Sequence, residues 1–170
     1  MTIHSSHPFL PSDDKRDPVR RLRARLGAAV TVWTAGGEGT MAGLTVSSML
    51  VAGGEPGRVL GLVDPDADVA EVMRGTGRLA ISVLRWPHRA MADAFAGTAP
   101  APGGPFRMAE WRSTEWGPVL DDAPAWAGCR VATDPRQVGW SLLVEAEIEH
   151  VALGEDSDPL LYRRGRYFTA

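Results

Sequence analysis

Gly43-Leu44-Thr45-Val46-Ser47-Ser48 places three hydroxyl side chains within four positions at the end of a run rich in β-branched residues. Alternation along a strand puts Thr45 and Ser47 on one face and leaves Ser48 at the strand exit, where its backbone N–H is also open. Such a rim suits a neutral, planar ligand that hydrogen-bonds along one edge. The same residues can equally be a strand end satisfying its own backbone.

Outward from this segment the pattern stays that of strands. Ala28-Ala29-Val30-Thr31-Val32-Trp33-Thr34 is β-branched and aromatic, breaks at Gly36-Gly37-Glu38-Gly39, and resumes from Thr40 to Val46, which predicts a hairpin. A third strand is expected over Arg58 to Val63, introduced by the turn Gly53-Gly54-Glu55-Pro56-Gly57. Leu79 to Leu84, Trp126 to Val131 and Trp140 to Val151 read as further strands. Pro159-Leu160-Leu161-Tyr162 leads through the basic turn Arg163-Arg164-Gly165-Arg166 to Tyr167-Phe168.

Three helices interrupt the strands. Asp17 and Pro18 supply an N-cap and a proline at the first helical position, with Val19, Leu22 and Leu26 spaced to line one face and Gly27 as the stop. The arginines at 20, 21, 23 and 25 read as a solvated face. Asp68-Val69-Ala70-Glu71 has capping-box spacing with Asp68 in the cap position, and its helix is expected to end at Gly75. Pro87 opens the third, with Met91 and Phe95 on one side, and the proline- and glycine-rich stretch from Gly97 to Gly104 follows as a flexible lid or arm. Five or six strands with too few helices to alternate with them favour a closed or partly closed barrel over a doubly wound sheet. Neither a GxGxxG turn nor a P-loop is present.

At 170 residues, 44% hydrophobic and 23% charged, the chain predicts one soluble domain over 13–170 behind a loose, proline-containing arm over 1–12. The first twenty residues lack a signal-like apolar run and no stretch is long enough to span a bilayer, so a cytoplasmic protein is expected. Eighteen basic residues against 21 acidic ones argue against a dedicated nucleic-acid binder. Cys129 is the one cysteine, and His4, His7, His88 and His150 fall at no metal-ligand spacing, so neither a disulfide nor a metal centre is expected.

The succession of segments adds a resemblance. A helix followed by VTVWTA, then AGLTVSS, the strand from Arg58 to Asp64 with its helix, RLAISVL, Ala92-Asp93-Ala94-Phe95-Ala96, the strand around Cys129 and the closing PLLYRRGRY together cover roughly residues 18 to 168. This order resembles the flavin reductase-like, FMN-binding split-barrel family, which includes the small reductase components of two-component monooxygenases. The resemblance implies a mainly β, Greek-key split barrel with flanking helices, forming a homodimer with FMN in a groove near the subunit interface. Carried over by position, Thr45, Val46, Ser47 and Ser48 would contact the flavin ring and ribityl chain, joined by Leu62, Val63 and Asp64. The loop from Pro65 to Asp68 would lie near the phosphate, with Phe95 and Ala96 approaching from a helix, although Phe95 equally reads as core. The implied reaction is hydride transfer from NAD(P)H to flavin, supplying a partner oxygenase.

Two departures from the family pattern bear on that reading. The phosphate loop, Asp64-Pro65-Asp66-Ala67-Asp68, carries three carboxylates, so either an arginine elsewhere compensates, with Arg85, Arg89 and the run from Arg163 to Arg166 as candidates, or FMN binds weakly. Where many relatives carry Gly-Asp-His, with the histidine linked to nicotinamide binding, this chain reads Gly139-Trp140-Ser141. Tryptophan can stack on a nicotinamide ring but cannot exchange a proton. The alternative reading is a protein that binds FMN, FAD or a deazaflavin without NAD(P)H reductase activity, and a third is a dimeric interaction module. His150 reads as a surface residue, and Trp111, Trp116 and Trp126 as packing.

Overall fold

The computed structural model describes residues 17–169, so the predicted arm over 1–12 lies outside the described residues. The chain runs through α1 (Pro18–Arg25), β1 (Ala28–Ala29), β2 (Thr31–Ala35), β3 (Ala42–Val46), β4 (Met49–Ala52), β5 (Arg58–Val63), α2 (Asp68–Thr76) and β6 (Arg78–Val83). It continues with α3 (Arg89–Phe95), β7 (Trp111–Arg112), β8 (Val119–Leu120), β9 (Ala125–Val131), β10 (Arg136–Val138), β11 (Ser141–Leu153), β12 (Leu161–Arg163) and β13 (Arg166–Phe168).

The main sheet has the order β3-β2-β6-β9-β11-β5-β4, with β10 added on β11 and every pairing antiparallel. Its two ends, β3 and β4, are consecutive in the chain and joined only by Ser47-Ser48. The sheet therefore curls until its ends meet. Leu62 N donates to Ser48 O at 2.9 Å, carrying the β4–β5 ladder into that two-residue link, and the curled sheet is the partly closed barrel that the strand pattern predicts.

β2 explains why the barrel has two cores. All five of its residues are buried, and alternation sends Trp33 inward and Val32 outward. Trp33 fills the barrel with Val59, Val63, Leu79 and Val144, and α2 plugs one side through Val69, Ala70 and Met73. Val30, Val32, Leu84, Met91, Phe95 and Leu160 form the second core under α3. Thr34, buried between strands, donates to Pro118 O at 2.5 Å, so its hydroxyl costs little there.

Several local expectations are corrected. The run over 28–34 divides at Val30: Ala28–Ala29 pair with β12, whereas Thr31 onward joins the main sheet. β4 was not foreseen, because Leu50, Val51 and Ala52 are all exposed and show no alternation. Ala67, not Asp68, is the N-cap of α2, with no side-chain cap bond, so the capping box does not form. That helix passes Gly75 and stops at Gly77, whose φ of 69° is the left-handed conformation glycine adopts without strain. α1 forms as expected, with Asp17 accepting from Val19 N at 3.0 Å. Its apolar stripe does not enter the core: Val19, Leu22 and Leu26 are 69%, 62% and 64% exposed.

Candidate functional site

Where the sheet ends meet, a groove of about 1410 Å³ opens between the β3, β4 and β5 floor and a wall made by α1 and the β12–β13 turn. The segment from Thr45 to Leu50 and the residues Leu60, Gly61 and Leu62 form the floor. Gly61 allows this floor to lie directly over the barrel core, since a Cβ there would sit 2.3 Å from the Trp33 ring.

The three hydroxyls of the opening segment have different roles. Thr45 Oγ1 donates to Ala92 O at 2.7 Å and ties β3 to α3. Ser48 Oγ donates to Leu62 O at 2.9 Å and reinforces the start of the β4–β5 ladder. Ser47 is half-buried, and among the described residues no protein group takes its proton. Val46 lines the floor with its backbone while its side chain, 2% exposed, belongs to the barrel core and its carbonyl accepts from Thr31 Oγ1.

Of the expected contacts on the neighbouring strand, Leu62 lies on the floor and is 37% exposed. Val63 is core, at 1% exposure. Asp64 folds the following loop onto itself, accepting from Asp66 N at 2.9 Å, and neither it nor Asp68 lines the groove. Phe95 is 4% exposed and packs edge-on against Phe106 at 4.9 Å, while Ala96 ends α3 in solvent; both are outside the groove lining. Trp140 is 67% exposed at the β10–β11 turn, and Ser141 begins β11. Leu142 pairs with Val63, so this turn stands beside the Asp64 loop at the end of the floor strands.

The compensating arginines divide cleanly. Arg85 donates to the Asp122 carboxylate at 2.7 Å, and Arg89 donates to Trp86 O at 2.8 Å while covering the Trp86 ring, so both are committed outside the groove. Arg163 and Arg164 line it, and so do Arg20, Arg21, Arg23 and Arg25 of α1, which the sequence presented as a solvated face. Helical periodicity holds no sign of this, because the second half of the wall comes from the other end of the chain.

Other titratable side chains build structure. His88 is 7% exposed; its Nδ1 accepts from Arg85 N at 3.0 Å, which leaves the proton on Nε2 to donate to Asp122 at 3.0 Å. Burial pushes the Asp122 carboxyl up, but the His88 hydrogen bond and the neighbouring Arg85 charge hold it below the ordinary carboxylate value. Burial, aided by Glu149, pushes the Cys129 thiol up to about 12, which removes it as a nucleophile near neutral pH. His150 is surface-exposed and stacks on Trp116 at 5.4 Å, outside the groove lining. Among the described residues no cluster could hold a metal ion and no helix is long and apolar enough to cross a membrane.

Residues 23–170 match the flavin reductase-like domain. The chain is 32% identical over 161 residues to the FMN reductase (NADH) RutF of Variovorax paradoxus, covering 94% of this chain and 86% of that one. It is 28% identical over 152 residues to the reductase component of 4-hydroxyphenylacetate 3-monooxygenase from Pseudomonas aeruginosa, covering 88% and 89%. Among solved structures, the NADH:FAD oxidoreductase SgcE6 of Streptomyces globisporus superposes with a TM-score of 0.79 at 25% identity, covering 94% of this chain and 95% of that one. The styrene monooxygenase flavin reductase of Pseudomonas putida shares the fold at a TM-score of 0.78 and 24% identity, covering 91% and 97%.

Proposed function

The chain belongs to the flavin reductase-like domain family, and from that premise we propose that it is an NAD(P)H:flavin oxidoreductase binding FMN over β3 and β5. The observation that carries the site is Ser47: an open hydroxyl on a concave, otherwise apolar floor whose neighbouring hydroxyls are already spent on the fold. A planar ring with a polar edge needs that combination. The groove also exceeds the usual range of about 300–1,000 Å³ for a single small ligand, leaving volume for a second ring.

Ser47 would orient the ring edge by hydrogen bonding. Met49, Leu50 and Leu62 would cover its face and exclude water, while Thr45 and Ser48 hold the floor strands in register. When bound, the flavin supplies the hydride acceptor. No Asp, Glu or His is among the described groove residues, so the protein's contribution is position rather than proton transfer. Trp140 offers a face on which a nicotinamide ring stacks, with Ser141 beside it in place of an imidazole. The relatives named as monooxygenase reductase components support delivery of reduced flavin to a partner oxygenase. A homodimer in the cytoplasm completes the reading.

A second reading is favoured by Ser141: the chain binds FMN, FAD or a deazaflavin but takes its electrons from elsewhere. An anaerobic absorbance titration with FMN, then NADH, then NADPH separates the two. Bleaching of the flavin band well above the protein-free rate is expected. Binding without bleaching by either nicotinamide would establish the second reading.

A further inference from the structure

Six arginines line the groove, Arg20, Arg21, Arg23 and Arg25 from α1 with Arg163 and Arg164 from the β12–β13 turn, and no described lining residue is acidic. The whole chain carries 18 basic residues against 21 acidic ones, so this is segregation of charge and not its general composition. The core does not require it. α1 buries none of its residues, and two hydrogen bonds tie it to the C-terminal hairpin: Arg163 Nε donates to Arg25 O at 3.0 Å and Arg164 N donates to Ala24 O at 2.9 Å.

Those bonds bring two cationic segments from opposite ends of the sequence into one wall. The turn geometry helps, because Arg164 and Gly165 both adopt positive φ, 51° and 78°, closing the hairpin tightly under α1. Guanidinium groups match phosphate oxygens in planar, two-point contacts. A concave wall of one sign also concentrates anions beyond what isolated surface arginines would. Across the floor lie hydroxyl and apolar groups suited to a ring, and the carboxylates of Asp64, Asp66 and Asp68 are outside the lining.

We infer that the wall formed by α1 and the β12–β13 turn is the binding site for the phosphate or diphosphate group of the nucleotide whose ring lies over Ser47. The inference rests on the flavin-binding reading. Two sources share this chemistry, a flavin nucleotide and a nicotinamide dinucleotide, and the test distinguishes them.

The variant is Arg21→Gln with Arg25→Gln in the full chain. Both positions are exposed on α1, glutamine keeps helix propensity, and Arg25 holds the hairpin only through its backbone carbonyl. Circular dichroism and thermal melting confirm that the variant is folded. FMN, riboflavin and NADH are then titrated into wild type and variant at several salt concentrations. FMN is expected to bind about tenfold more weakly to the variant, with a shallower salt dependence, and riboflavin to change by less than about twofold. Unchanged FMN affinity with NADH binding weakened about tenfold would support the wall with the dinucleotide as its occupant. Equal weakening of FMN and riboflavin would overturn the inference, and so would no change in any of the three, with flavin binding left standing. Wild type that binds neither FMN nor riboflavin would remove both the inference and the reading beneath it.

Discussion

Ser47 differs from Thr45 and Ser48 only through tertiary partners. The sequence shows three comparable hydroxyls; the fold gives Thr45 the carbonyl of Ala92 and Ser48 the carbonyl of Leu62, and leaves Ser47 open to the groove. Neither partner is visible in a local window. Ser47→Ala should therefore weaken FMN binding by about 1 kcal/mol, roughly fivefold, without lowering the melting temperature, because no protein hydrogen bond is lost. Thr45→Val should do the reverse in the first instance, destabilising the fold by about 1 kcal/mol through the lost tie to α3. Fluorescence titration and thermal melts on the pair check this, and an unchanged FMN affinity in Ser47→Ala would take that residue out of the site. Gly61 shows the same limit of legibility. A glycine inside a strand signals close approach, but that the Trp33 ring is what approaches becomes clear only when β2 and β5 face each other across the barrel.

The elements most legible in the sequence were those whose burial follows their period. β2, β3, β5, β6, β9 and β11 carry inward-facing apolar residues, and α1 and α3 begin near their expected proline signals. β4 was missed because an exposed edge strand has no pattern to read, and the cap of α2 because Asp68 lies one position too far along. At the entrance to α3 lies a clasp that no local pattern announces: Arg85 and His88 both bind Asp122, from the loop between β8 and β9. The Asp122 carboxyl titrates below the ordinary carboxylate range in the folded chain, so its contribution is present above that range and is lost as pH falls through the lower folded value. Its side chain is 59% exposed, which keeps the contribution small. Asp122→Asn is expected to melt lower than wild type at pH 7, with the gap narrowing as pH falls below about 4. Melting curves from about pH 3 to 7 test it; a gap independent of pH would show that packing, not charge, links these elements.

For the whole molecule, the barrel could be anticipated from strand count and glycine turns, whereas the groove could not, because its walls come from residues near both ends of the chain. β1 pairing with β12 brings them together, and that pairing rests on two residues per strand, too short to announce itself. The same closure leaves apolar surface uncovered. Leu50 and Val51 on edge strand β4 are 73% and 64% exposed, and Val19 and Leu22 of α1 are exposed as well. An apolar edge strand with unpaired backbone groups is an association site unless something covers it. A second copy of the chain is the proposed cover, consistent with a flavin groove near a subunit interface. Sedimentation equilibrium should then give a mass about twice 18.2 kDa at micromolar concentration. Val51→Glu, at a position that does not line the groove, should shift the protein towards the single-chain mass by placing a charge in the contact. If the partner completes the groove, FMN affinity should fall with it, although no floor residue has changed. A wild-type protein sedimenting at the single-chain mass would show that the β4 edge is tolerated in solvent and that one chain alone must hold the flavin.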